Sequence, residues 1–215
     1  MIKLGKVFIL GDSYSTYKGQ MPDGHISWYY DGGHENTDVN DFNQTWWKQL
    51  LDSTDAILVL NSSWSGTTIC NTGYNGADCS DKSFIARFDK LSESGFFVQN
   101  QIDTFFIFGG TNDTWAGSPV GKEMYSDWEK EDLFSVLPAF SYLLSGIKKN
   151  LKDTRVICLI NDGLKPEITQ GLKTICEKYG VEKIELSGIG KQGGHPNKEG
   201  MTQIKDQILK YLDEI

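Results

Sequence analysis

Five short runs of β-branched and aromatic residues punctuate the chain, at positions 7–10, 56–60, 104–108, 156–160 and 183–186. Each is bounded by polar or glycine-containing stretches, the pattern of buried strands. Between them, apolar residues recur at helical spacing. Phe42, Trp46 and Leu50 mark a helix over 42–51, and Phe84, Phe88 and Leu91 mark one over 84–91. A long segment over 133–151 is apolar on one side. Ile168, Leu172, Ile175 and Tyr179 mark a fourth helix, and Met201, Ile204, Ile208, Tyr211, Leu212 and Ile215 a C-terminal one. Strands alternating with helices predict a three-layer α/β/α fold, a parallel sheet covered on both faces. Five strands predict the flavodoxin-like order 2-1-3-4-5, with a site at the carboxyl ends of the central strands. In that order strands 2, 1 and 3 are neighbours. The residues just beyond their carboxyl ends include Gly66, Ser13 and Asn112.

Two stretches interrupt the alternation, at about 17–41 and 115–130. Both leave carboxyl ends of strands, so both are expected to overhang the site. They carry Trp28, Tyr29, Tyr30, Trp115, Tyr125 and Trp128. With no repeat, low-complexity segment or linker, 1–215 reads as one domain, long enough to bury a substantial core. Four cysteines are present. Cys158, in a strand run, and Cys176, on a helix, read as small buried hydrophobes. Cys70 and Cys79 bracket a polar loop and are open to two readings, a loop-clamping disulfide or two free thiols. Neither pair has zinc-site spacing, and no metal is expected.

Charge narrows the partners. Lys and Arg number 21 against 29 Asp and Glu, a net charge of −8. Phosphate backbones require basic clusters, so no nucleic-acid partner is expected. No apolar run approaches the roughly 18–20 residues of a membrane span. Met1-Ile2-Lys3 runs almost at once into the first strand, so no signal peptide is expected in the chain as given. That suits a cytoplasmic protein, or an exported one whose leader has been removed. Oligomeric state stays open.

The chemistry gathers at four places. Gly11-Asp12-Ser13-Tyr14-Ser15 directly follows Val7-Phe8-Ile9-Leu10. A buried strand ending in a tight glycine turn is a way to expose a nucleophilic hydroxyl, here Ser13. The plainer role for Ser13 is a helix cap. Phe108-Gly109-Gly110-Thr111-Asn112-Asp113 follows strand 3 and offers the Asn112 amide to a developing oxyanion. Otherwise it is a turn closed by Asn and Asp. Gly66, in Trp64-Ser65-Gly66, lets a backbone N–H approach a ligand closely. His195, in Gly193-Gly194-His195-Pro196, is positioned as a neutral base near pH 7. The other two histidines, His25 and His34, read as surface residues.

Taken together and in this chain order, the four blocks resemble the SGNH (GDSL-type) hydrolases over nearly the whole length. The resemblance implies Ser13 as nucleophile, Gly66 and Asn112 as oxyanion donors beside the Ser13 amide, and His195 as general base. It also implies ester hydrolysis with no metal or organic cofactor. One position departs from it. The acid usually found three residues before the histidine is Gln192 here. A Ser–His dyad, a tautomer fixed by Gln192 or a backbone carbonyl, or a substitute carboxylate at Asp162 would each fill the gap, the first two in combination being preferred. Asp12 and Asp113 are expected to brace the nucleophile and oxyanion loops. Trp64, Trp115 and Tyr14 are expected against the substrate, a small-molecule or glycan ester. The aromatic residues point to a short acyl group on a carbohydrate, with short lipid or aryl esters close behind. The alternative is a non-catalytic glycan-binding protein on a degenerate scaffold, which the retained serine and histidine argue against. A nucleotide binder would need a phosphate-cradling loop after strand 1, and none is present.

Overall fold

The computed structural model describes residues 3–214, so the expected helical position Ile215 lies outside the described residues. In chain order the elements are β1 (Lys6–Gly11), α1 (Trp46–Asp52), β2 (Ile57–Ser63), α2 (Phe84–Glu93), α3 (Phe96–Gln99), β3 (Thr104–Gly109) and α4 (Thr111–Ala116). They continue with α5 (Val136–Asn150), β4 (Arg155–Ile160), α6 (Pro166–Tyr179), β5 (Glu182–Glu185), β6 (Lys191–Gln192), β7 (His195–Pro196) and α7 (Lys198–Asp213). Five parallel strands pair in the order β2-β1-β3-β4-β5. The three-layer α/β/α arrangement is therefore the one the alternation predicts.

Because side chains alternate across a strand, each continuous apolar run feeds two cores. Phe8, Leu10, Phe105, Ile107, Val156 and Cys158 point to the layer of α2, α5 and α6. Val7, Ile9, Phe106, Phe108, Ile157 and Leu159 point to the layer of α1 and α7. Trp46 and Trp47 are fully buried in the second core, and their indole N–H groups donate to Ser15 Oγ and the Ser15 carbonyl. The layer of α1 and α7 is thereby tied to the turn that carries Ser13.

Several expected elements change at their ends. The helix over 42–51 breaks at Thr45, whose backbone is extended (ψ 146°) and whose hydroxyl caps α1. Asp41 and Gln44 form a reciprocal capping box on the separate short turn before it. The segment over 133–151 breaks likewise at extended Ser135, leaving α5 to begin at Val136. The Asn112 block is not only a glycine turn. Gly110 turns the chain, and Thr111–Ala116 forms α4. All four cysteines are free and buried, Cys70 and Cys79 included.

The two long stretches take different courses. The first covers the His195 loop, with the Tyr29 hydroxyl donating to the Pro196 carbonyl (2.8 Å). The second leaves the site after Trp115 and lies along α5 and α6, where Trp128 meets Tyr142 and Tyr125 meets Tyr179. Only its first residues stand beside the catalytic candidates. The reason is apolar area: Val120 and Tyr125 pack against the core of that helix layer.

Candidate active site

The turn after β1 is tightly determined. A Cβ on Gly11 would lie 2.5 Å from Ser63 Oγ and 2.9 Å from Ser15 Cβ, so glycine is required there. Asp12 caps the short turn Ser13–Ser15 by accepting from the Tyr14 amide (3.1 Å). Arg87, almost fully buried, donates to the carbonyls of Ser62 and Gly11 and to Thr67 Oγ1. It joins the ends of β1 and β2 to the loop that holds Gly66.

His195 is placed by a two-residue hairpin. β6 and β7 pair Gln192 with His195 across Gly193-Gly194, both at positive φ (56° and 80°). Such a turn needs left-handed backbone at both central positions, which glycine adopts without strain. The Tyr14 hydroxyl holds the turn from below by donating to the Gly194 carbonyl (2.6 Å).

That hairpin brings His195 Nε2 within 3.0 Å of Ser13 Oγ. The opposite ring nitrogen, Nδ1, lies 3.1 Å from the Gly193 carbonyl. A carbonyl only accepts, so Nδ1 carries the proton and Nε2 is left to accept from the Ser13 hydroxyl. Burial pushes the His195 pKa down to about 4, against the raising effect of the Gly193 carbonyl, so the ring is neutral at pH 7. Both residues are almost inaccessible, Ser13 at 1% and His195 at 6% exposure.

Neither side-chain candidate for orienting the imidazole reaches it. Gln192 donates its amide to the Glu35 carbonyl (3.1 Å), because residues 34–36 fold over the hairpin. Asp162 pairs with Lys191 and accepts from the Ile189 amide (3.0 Å). The partner is the backbone-carbonyl alternative, the carbonyl of Gly193, a contact fixed by turn geometry.

Asn112 sits in the first turn of α4, just past the carboxyl end of β3. Its Nδ2 donates to the Thr67 carbonyl (3.0 Å) and its Oδ1 accepts from the Tyr74 hydroxyl (2.8 Å). These two bonds fix which end of the amide is which and leave Nδ2 a second N–H. Asp113 accepts from the Ile69 and Cys70 amides, and so braces the loop that follows Gly66. Gly66 itself is exposed, and a Cβ there would meet open space.

The aromatic candidates separate. Trp115 is 45% exposed, with its ring 5.5 Å from that of His195. Trp64 is half-buried and stacks on His25 (4.3 Å), so neither His25 nor His34, which lies between Trp28 and Tyr30, is a plain surface residue. Tyr14 is fully buried and supports the histidine loop, so it is not available to a substrate. Tyr74, Arg87 and Trp28 were not legible as site residues, and the backbone carbonyl could not be traced to Gly193. The side-chain contacts of Tyr74, Arg87 and Trp28 join residues far apart in the chain, and their spacing carries no signal for them.

Two buried carboxylates give a stability test. Burial raises the Asp12 pKa to about 7 and that of Asp113 to about 6. The folded chain therefore holds an extra proton at Asp12 between about pH 4 and 7, and this contribution to stability falls as pH rises through that window. Depressed His195 contributes with the opposite sign between about pH 4 and 6.5, so a difference is the quantity to read. Asp12→Asn keeps an oxygen for the Tyr14 amide and removes the titration. Its stability relative to wild type is expected to be better at pH 8 than at pH 5, from urea midpoints. Equal differences at the two pH values would show that Asp12 does not titrate there.

Comparison with known proteins agrees with the geometry. The model of the GDSL-like lipase/acylhydrolase family matches residues 5–212. A candidate GDSL-like lipase from Bacteroides ovatus is 44% identical, with a TM-score of 0.92 over 99% of this chain and 100% of that one. A second, from Bacteroides uniformis, is 41% identical, with a TM-score of 0.90 over 98% and 96%. An acetyl xylan esterase from the rumen bacterium Butyrivibrio proteoclasticus shares the fold at 17% identity, with a TM-score of 0.61 over 98% of this chain and 63% of that one. No curated protein sequence matches. With its strand order, its Ser–His pair and a family match running almost end to end, the chain belongs to the GDSL-like lipase/acylhydrolase family and is an ester hydrolase.

Proposed function

We propose that the protein is a serine esterase working through a Ser13–His195 dyad and an acyl-enzyme. The observation that carries this reading is the 3.0 Å contact between Ser13 Oγ and His195 Nε2, with Nδ1 held by the Gly193 carbonyl. In the first step His195 Nε2 takes the Ser13 proton as Oγ attacks the ester carbonyl. The amides of Ser13 and Gly66 and the free N–H of Asn112 receive the oxyanion. The same imidazolium protonates the leaving alcohol, and His195 then activates water to release the acid.

The substrate reading is a short acyl group on a carbohydrate. Trp115 stands half-exposed beside His195, and Tyr74 is 41% exposed above Asn112, so flat apolar surface borders the reacting atoms. Such surface stacks on sugar rings, and the fold is shared with an acetyl xylan esterase. A panel of p-nitrophenyl esters and acetylated sugars tests this. Acetyl esters are expected to be cleaved fastest, and acetylated sugars better than the aryl acetate. Preference for long acyl chains would replace the carbohydrate reading with a lipid one.

The dyad makes its own prediction. Gln192→Ala and Asp162→Asn are each expected to leave kcat within about threefold of wild type, since neither side chain touches the imidazole. Loss of a true triad carboxylate costs about 10⁴ in kcat. A fall of that order in Asp162→Asn, with the fold intact, would hand it the orienting role. Gln192→Asp should bring no gain, because that side chain faces the Glu35 carbonyl.

A further inference from the structure

Trp28 lies face to face with His195, the ring centroids 3.6 Å apart and the planes within 10°. The other rings around the imidazole meet it tilted or edge-on: Tyr14 at 5.4 Å, Trp115 at 5.5 Å and Tyr29 at 6.5 Å. The indole N–H of Trp28 is buried with no partner among the described residues, so the ring is not held by its polar end. Its backbone is fixed instead. The Trp28 amide donates to Thr16 Oγ1 (2.9 Å), and that hydroxyl donates to the Ser13 carbonyl (2.9 Å). The neighbouring Tyr29 hydroxyl holds the Pro196 carbonyl (2.8 Å). The indole plane is thus tied both to the nucleophile turn and to the strand that carries the base.

When Ser13 gives its proton to Nε2, the imidazole becomes a cation. Its Nδ1–H then rests on a neutral carbonyl, where the commoner arrangement supplies a carboxylate. A cation over an indole face is favourable, the more so when water is excluded. We propose that Trp28 is a positioning residue that holds the His195 plane and stabilises the imidazolium through its ring face, in place of the charge missing at Gln192. This rests on the reading of Ser13 and His195 as nucleophile and base. It also means that the Trp28 face turned to His195 is occupied and does not serve as a sugar platform.

Several titratable groups face the same ring. Ser13 and Tyr14 come from the turn after β1, and Tyr29 and His34 from the 17–41 stretch. Lys191, 5.9 Å from the Tyr14 ring, is held by Asp162. Because Asp12, next to Ser13 in the chain, also responds to pH, the His195 pKa is best read directly. NMR titration of the imidazole in the full-length protein serves, with the resonance assigned by its loss in His195→Gln. Trp28→Leu keeps an apolar cover and removes the π face. It is expected to lower the His195 pKa by about 0.5–1 pH unit and kcat by about fivefold to tenfold, with KM for an aryl acetate within about twofold. Trp28→Phe, with a weaker face, should shift both in the same direction by less, and it carries the test if Trp28→Leu does not fold. An unchanged or raised His195 pKa in these variants would make Trp28 a simple cover against water and overturn the proposal. Activity surviving in Ser13→Ala and His195→Ala would instead overturn the dyad itself.

Discussion

Ser13→Ala is expected to reduce kcat for ester hydrolysis by roughly 10³–10⁶ while leaving the fold intact. The size follows from the proposed mechanism: without Oγ no acyl-enzyme would form, and the residual rate would come only from binding and from the oxyanion donors. The fold should survive because among the described residues the Ser13 side chain has one hydrogen-bond partner, His195 Nε2. The contacts that hold the turn are made by the Asp12 carboxylate and by the Ser13 carbonyl, which accepts from Thr16. Removing the hydroxyl also leaves Nε2 without its donor, so circular dichroism and a melting curve belong beside the kinetics. The wild-type protein should in addition take up one equivalent of a serine-directed organophosphate at Ser13, by peptide mass. Full activity in Ser13→Ala, or labelling elsewhere with loss of activity, would end the serine mechanism.

The sheet was readable because its strands are short apolar runs between helices of clear 3.6-residue period. The order β2-β1-β3-β4-β5 then carries Ser13, Gly66 and Asn112 to one end of the sheet by topology alone. What stayed unreadable was set by contacts between distant residues or by backbone. The support of His195 is a carbonyl, and a carbonyl has no signature in a sequence. Its placement needs the left-handed pair Gly193-Gly194, whose motif was visible but whose hairpin was not. Asp162 was a reasonable substitute acid on strand order, yet Lys191 lies nearer in the fold and claims it. Tyr14 was expected against the substrate, and Trp28 only within a stretch overhanging the site. Here Trp28 stacks on the imidazole and Tyr14 is walled in by Phe108, Trp115 and His195.

Asn112→Ala is expected to lower kcat by roughly 10²–10³ with little change in KM. The asymmetry is the point of the test. An amide N–H aimed at the oxyanion gains strength only as the carbonyl oxygen becomes charged, so it acts on the transition state more than on the bound ester. The structure supplies the preorganisation this needs. Asn112 is 2% exposed, its Oδ1 is held by Tyr74 and one N–H by the Thr67 carbonyl, so no side-chain freedom is lost at the moment of reaction. Asp113, next in the chain, holds the Ile69 and Cys70 amides and so keeps Thr67 within reach. Alanine removes the donor, and with it the anchor of the Tyr74 hydroxyl, which can turn to solvent. Asparagine to aspartate is the sharper variant: a carboxylate beside the developing oxyanion would repel it, and kcat should fall further than in Asn112→Ala. An effect confined to KM in either variant would make Asn112 a substrate-binding residue and leave the oxyanion to backbone amides alone.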